Sequence, residues 1–241
     1  MSNIGGPGNC KRRVLAEIVN SILAYAAPVW ADAMRMKKHK SKMLSCQRTV
    51  ALRVARAYRT VSTEAVMVVA RVLPIDILVE ERSRIYQVGG QINNDVRRRE
   101  RETSIDKWQE QWASSTKGRW TYVLIPDLKE WTKRGHGEVS YQVAQFLTGH
   151  GNFKAFLSKI GKAEDEQCIY CDGRDTAEHT IYECIRWEAY RGYMEMAVGQ
   201  VLTPQNTISL ALEGQRAWED IMGTIEKVMT LKEQDFRRRG M

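Results

Sequence analysis

Apolar residues recur along this chain at helical rather than strand-like intervals. Val14, Leu15, Ile18, Val19, Ile22 and Leu23 form one stripe at i, i+4, i+8 spacing. The spacing predicts an amphipathic helix over residues 11–27, its stripe turned to the core, with Pro28 kinking or ending it near Ala27. A second helix is predicted from about Lys37 to Tyr58. Met43, Leu44, Ala51, Val54, Ala55 and Tyr58 share one side of it, and Arg48, Arg53, Arg56 and Arg59 project from the other. Ser62 can cap a short helix through about Val72, which Pro74 stops. A longer charged helix follows from about Ile75 to Glu102 and contains Arg97, Arg98 and Arg99. Near the C-terminus Trp218, Ile221, Met222, Ile225, Val228, Met229 and Phe236 keep helical spacing over 215–236, with Arg237, Arg238 and Arg239 frayed beyond it. Only Thr121 to Ile125 looks strand-like. The expected fold is therefore mainly α, with little sheet.

Other local features refine this picture. Ile4-Gly5-Gly6-Pro7-Gly8 lacks the lysine and Ser/Thr of a phosphate loop and reads as a turn or frayed end. Trp108 and Trp112 stand one helical turn apart ahead of Gly118, with Trp120 and Trp131 beyond. They read as core before base-stacking platforms. Three regions are expected: a basic helical region at 1–104, a Trp-containing linker or helical region at 105–160, and a metal module with C-terminal helices at 161–241.

Charge changes the picture because it is uneven. The 241 residues carry a formal charge of +8. Residues 1–60 hold 12 Lys/Arg against Glu17 and Asp32, an excess larger than that of the whole chain. A stripe of arginines suits phosphate contact, so Arg48, Arg53, Arg56 and Arg59, with Lys38 and Lys42, are the candidate nucleic-acid-binding residues for RNA or DNA. The alternative is an ordinary solvated face. No apolar run approaches the roughly 18 residues needed to span a bilayer. The start lacks a signal-peptide core, so a nuclear or cytoplasmic location is expected. Thiols stay reduced there, and five cysteines then point to metal or core before disulfides.

The most specific chemical signal is Cys168, Cys171, His179 and Cys184, spaced C-x2-C-x7-H-x4-C. Three thiolates and one imidazole fill a tetrahedral Zn2+ site with no open corner, which is a structural rather than a catalytic arrangement. Residues 161–190 hold eight acids against three bases. A three-thiolate zinc site adds about one negative unit, so this segment should repel phosphate. It reads first as a folding clamp and second as a direct reader of nucleic acid. Cys10, Cys46, His39 and His136 belong to no constellation. His150 reads as a packed or capping histidine.

Several strings also resemble a known family. Asn3-Ile-Gly-Gly-Pro7, Arg12-Arg13-Val14-Leu15 and Ala27-Pro28-Val29-Trp30-Ala31-Asp32 resemble the region after the polymerase domain of insect non-LTR retrotransposons, of the ribosomal-DNA-inserting and telomere-inserting type. Lys117 to Thr121, Leu124 to Leu128, Leu147 to Gly151, and Asp175 to Thr180 with Glu183-Cys184 and Trp187 are similar to the C-terminal half of the same family. The resemblance implies a multidomain parent with endonuclease, reverse transcriptase and a C-terminal zinc region. It maps residues 11–60 to the polymerase thumb or its junction, gripping the RNA–DNA duplex, and makes other parts of the retrotransposon protein possible partners. No Asp-Asp pair of the kind that holds polymerase metals occurs in the chain. The expectation is a non-catalytic C-terminal fragment that binds nucleic acid. The alternative is a zinc-stabilised helical domain for protein interaction. Primer extension with magnesium is expected to give no product from this chain alone; incorporation above a protein-free control would contradict that.

Overall fold

Local capping sets many helix boundaries in the computed structural model, which describes residues 5–89 and 92–239. In chain order the helices are α1 (Asn9–Leu23), α2 (Ala27–Trp30), α3 (Lys37–Val54), α4 (Thr63–Ala70), α5 (Ile75–Val88), α6 (Asn94–Ser114) and α7 (Arg119–Leu124). There follow α8 (Leu128–Lys133), α9 (Tyr141–Thr148), α10 (Lys154–Lys159), α11 (Glu188–Val198), α12 (Thr207–Leu212), α13 (Gln215–Trp218) and α14 (Thr224–Arg238). Ser62, Asn93, Asp127 and Ser140 each accept a backbone N–H in the first turn of α4, α6, α8 and α9. Among the described residues, β pairing is limited to Gln167 opposite Arg174, so the fold is mainly α. No single helix there is long and apolar enough to cross a membrane.

Helix α4 is apolar on nearly every side, and Ala65 to Ala70 are all buried, which places it inside the core. Helix α3 covers one flank of it and α9 another, and α9 in turn packs on α14. Trp131 donates its indole N–H to the Val68 carbonyl of α4 at 2.7 Å, and Trp112 donates to the Ile125 carbonyl at 2.9 Å. Trp108, Trp112 and Trp131 are thus core residues, and Trp112 and Trp131 also satisfy their polar edge. One continuous apolar cluster runs from Ala16 to Met229 and joins all three stretches of the chain.

A buried ion pair locks the C-terminal helix to the rest. Lys232 and Asp175 are both fully buried; the Lys232 ammonium donates to Asp175 Oδ1 and to Thr180 Oγ1. Asp175 Oδ2 accepts the Lys154 N–H at 2.8 Å at the start of α10. Burial lowers the Lys232 pKa, and the Asp175 carboxylate works against that shift.

Several sequence expectations are corrected. The α1 stripe faces outward: Val14, Ile18 and Ile22 are 54%, 51% and 69% exposed. The inward face is Arg12, Ala16 and Asn20 instead. Polar matching decides this, because buried Gln47 of α3 donates to Asn20 Oδ1 and to the Leu73 carbonyl while accepting from the Ile75 N–H. Helix α1 also ends at Leu23, short of Ala27; Pro28 lies in the first turn of α2, where it needs no N–H partner. The helix expected over 75–102 breaks: α5 ends at Gly89 with φ +63, and α6 starts at Asn94. Residues 90 and 91 of that expected helix lie outside the described residues, as do Asn3 and Ile4 of the Gly-rich start.

Thr121 to Ile125 is not a strand. Helix α7 takes most of it, started by Gly118 at φ +67, where a Cβ would stand 2.8 Å from that of Ala65. The expected tail helix is divided into α13, a π-helical turn at Glu219–Gly223, and α14. Arg237 and Arg238 are not frayed; they continue α14 and pair with Glu233 and Asp235.

Lys232→Met should leave Asp175 buried without a counter-charge and cost about 3–5 kcal/mol in denaturant unfolding. Ile18→Asp, on the outward stripe, should stay within about 0.5 kcal/mol of the parent. A large loss for Ile18→Asp would show that the stripe is buried in solution.

Candidate metal centre

The four sequence-predicted donors converge. Cys168 and Cys171 lie on a tight turn closed by the Cys168 N–H donating to the Gly173 carbonyl at 2.8 Å and the Asp175 N–H donating to the Glu166 carbonyl at 2.8 Å. Thr176 Oγ1 accepts the His179 N–H at 3.0 Å and so starts the next helical turn. That turn is π-helical over His179–Glu183, and the Cys184 N–H closes it onto the His179 carbonyl at 2.8 Å. In an α-helix, residues i and i+5 point about 140° apart. The wider π turn brings His179 and Cys184 towards one side.

The donor atoms all lie within 4.8 Å of one another, wider than the roughly 4 Å expected of zinc ligands. Cys168 Sγ and Cys184 Sγ are 3.8 Å apart, Cys171 Sγ and Cys184 Sγ 3.9 Å, and Cys171 Sγ and His179 Nε2 3.2 Å. Sulfur–sulfur edges near 3.8 Å are those of a tetrahedron with metal–sulfur bonds of about 2.3 Å. Cys168, His179 and Cys184 are buried, and Cys171 is half-buried. Burial raises the Cys168 pKa; burial first, then Cys168, pushes Cys184 up to about 12. Such thiols stay protonated in the absence of metal, and a cation binding to the sulfurs would displace their protons to solvent.

Two supporting residues escaped the sequence reading. Glu183 Oε2 sits 3.2 Å from His179 Nδ1, so a proton on that nitrogen leaves Nε2 free for the ion. Gly173 lies against the imidazole: a Cβ there would stand 2.3 Å from His179 Cε1. Glu183, one helical turn after the histidine, was a readable signal. Gly173 was less so, because its contact depends on the turn.

The other predicted positions are more dispersed. Lys38 and Lys42 are exposed on α3. Helix α3 stops at Val54, so Arg56 and Arg59 are not part of its arginine face. Arg56 takes a left-handed φ of +55. Arg48 turns back to donate to the Arg59 and Val61 carbonyls at 2.5 and 2.6 Å, which makes it a brace for the chain after α3. The Arg53 carbonyl accepts from buried Arg12 at 2.7 Å. Trp187 is 1% exposed and offers no free face to a base; Tyr170 is half-buried, edge-on to Trp187, with its hydroxyl donating to Asp235 at 2.8 Å. His150 is packed as expected, with its Nδ1 2.8 Å from Thr60 Oγ1 and its ring on Phe156; burial first, then Lys159, lowers its pKa to about 4.

Fold and donor set together define an all-helical protein clasped around a Cys3His group that can hold a metal ion. Sequence similarity adds relatives. The chain is 28% identical over 233 residues to a retrovirus-related Pol polyprotein from type-1 retrotransposable element R1 2 of Nasonia vitripennis, covering 90% of this chain and 57% of that protein. It is 29% identical over 191 residues to the R1 Pol polyprotein of Bradysia coprophila, covering 70% of this chain and 18% of that protein. A further R1 Pol polyprotein of Nasonia vitripennis is 30% identical over 159 residues, 60% of this chain and 47% of that protein. The chain is related to a region of the Pol polyproteins of R1-type, non-LTR retrotransposable elements. It spans about half the length, or less, of these relatives. No family profile and no solved structure matches it.

Metal analysis of the purified chain is expected to give one ion per molecule, lost in Cys184→Ser. Glu183→Gln should keep the stoichiometry but weaken affinity about 10–100-fold in chelator competition. Unchanged metal content in Cys184→Ser would rule out this donor set.

Proposed function

We propose that this chain is a non-catalytic, nucleic-acid-binding region of a retrotransposon Pol polyprotein, in which zinc at Cys168, Cys171, His179 and Cys184 clamps the C-terminal part of the fold. The observation that carries this reading is the distribution of charge on the fold. The first 60 residues carry ten more basic than acidic side chains, and the metal-binding segment carries five more acidic than basic ones. Lys37, Lys38, Lys42 and Arg59 are exposed, while Arg48 is spent on backbone carbonyls. Such a field draws RNA or DNA to the N-terminal region and keeps it off the knuckle. Zinc fits the donors, since three thiolates and an imidazole suit a soft divalent ion and leave no corner for a reactive water. The regions 1–104, 105–160 and 161–241 then take separate tasks while sharing one core. Relationship to Pol polyproteins favours the reading and supports an intracellular location, nuclear or cytoplasmic.

A second reading, a protein-interaction domain, is favoured by the outward stripe of Val14, Ile18 and Ile22, an apolar face that other parts of a longer Pol polypeptide could cover. Salt titration separates the two. Nucleic-acid binding should fall linearly in log affinity against log salt, and Lys38→Glu with Lys42→Glu should weaken RNA and DNA of all sequences alike and lower the slope by about one unit per lost contact. Absence of salt-dependent binding in the parent protein would leave the interaction reading.

A further inference from the structure

The buried charges of this protein are almost all matched. Lys232 meets Asp175, Asp76 meets Lys40 at 2.5 Å, Glu81 meets Arg101 at 2.9 Å, and Arg12 donates to the Gly5, Pro7 and Arg53 carbonyls. One cluster departs from this rule. Arg13 of α1, Arg71 at the end of α4 and Arg134 after α8 lie close enough to repel one another. None of them has a carboxylate within 4.0 Å among the described residues. Arg134 is 9% exposed and is sandwiched by Trp131, its guanidinium carbon 3.5 Å from that ring. Arg71 donates one N–H to the Arg134 carbonyl at 2.7 Å, and Arg134 donates one to the Trp131 carbonyl at 2.8 Å. The Nε groups of both are buried with no acceptor. Arg71 also holds a left-handed φ of +55, a strained conformation for an arginine. Burial first, then Arg13, lowers Arg71 to about 10; burial, Arg71 and Arg13 lower Arg134 to about 8. Guanidinium stays charged at neutral pH, so these shifts mark positive charge without a counter-ion.

The cluster opens onto space. Arg13, Arg71 and Lys133 line a cavity of about 660 Å³ between α1, α6 and α8, floored by Leu73 and Trp108. Glu17, Glu102 and Asp106 also line it; among the described residues none of them pairs with Arg13, Arg71 or Lys133, and Asp106 holds Lys129 at 2.6 Å. Arg98, paired with Asp95, and Arg101, paired with Glu81, stand on the α6 rim and line both this cavity and a neighbouring one of about 640 Å³, which adds Arg82 and Arg97. A basic track therefore runs further than one small anion needs.

We infer that this cleft is a phosphate-binding track for a nucleic-acid strand, with Arg13, Arg71 and Lys133 holding backbone phosphates and Arg134 supplying positive charge from behind. Arginine forks match phosphate oxygens, and the track continues past Arg98 and Arg101 as a polymer requires. The inference rests on the nucleic-acid reading above and assigns its main contacts to a cleft that lies off the α3 lysine face.

The test is fluorescence anisotropy of a labelled single-stranded RNA across a salt series, with inorganic pyrophosphate in a parallel thermal-shift arm. Arg13→Gln with Arg71→Gln should weaken RNA binding on the order of tenfold or more and lower the salt slope by about one unit per lost contact. Metal content and folding should be kept, because both side chains are only half-buried and neither pairs with a carboxylate among the described residues. Should that variant fold poorly, Lys133→Gln, exposed on α8, should still weaken binding and lower the slope. Parent-like affinity and slope in the folded variants, with loss in Lys38→Glu and Lys42→Glu, would overturn the cleft but keep the nucleic-acid reading. No RNA binding by the parent would overturn both. Pyrophosphate stabilisation that the variants lose, with RNA binding unchanged, would make the cleft a small-anion site and overturn the strand assignment.

Discussion

The ion pair between Lys232 and Asp175 is the contact on which the C-terminal half depends. Neither group can leave its partner without stranding a charge in a site closed to water. Through Thr180 the pair reaches the turn that carries His179, and through the Lys154 N–H it reaches α10. Asp175 is four residues before the histidine and four after Cys171, so fixing its carboxylate fixes the frame between the two halves of the donor set. The metal loop is thus held by α14 as well as by its own hydrogen bonds, and the group of four donors is built on a rigid support.

The same constraint, that buried polar groups must find partners, shapes the N-terminal part. Arg12 satisfies carbonyls at the Gly-rich start and at the end of α3, where a cation also suits the helix C-terminus. Gln47 answers Asn20, Leu73 and Ile75. These contacts turn Arg12 and Asn20 of α1 inward and leave Val14, Leu15, Ile18 and Ile22 outside, while Leu23 packs on the core. The metal loop adds exposed pairs, such as Arg174 with Glu166, to the buried one at Asp175. Two parts of the fold therefore differ in what they can hold: the cluster of Arg13, Arg71 and Arg134 retains unmatched cations, and the metal loop surrounds sulfur donors with carboxylates.

The sequence by itself determined the helical character, the Ser62 cap and the four residues that converge at the candidate metal centre. Ser62 did cap α4, and the apolar residues from Trp218 to Phe236 are buried as their spacing indicated. Cys168, Cys171, His179 and Cys184 were legible because the signal lies in chemical type and short spacing, both local properties. Lys232 was also legible in hindsight, as the charged member of an i, i+4 series with Val228 and Phe236.

Tertiary structure alone decided which face of α1 is buried, where α3 stops, and that Thr121 to Ile125 belongs mostly to a helix. It also decided which arginines are spent on carbonyls and which remain without a counter-charge. Each of these depends on partners far away in the chain: Arg12 meets a carbonyl 41 residues on, and Lys232 a carboxylate 57 residues back. Periodicity records the spacing of apolar side chains along one helix. It holds no record of which distant polar group will need an acceptor, and in this fold that need outweighs the burial of an apolar stripe.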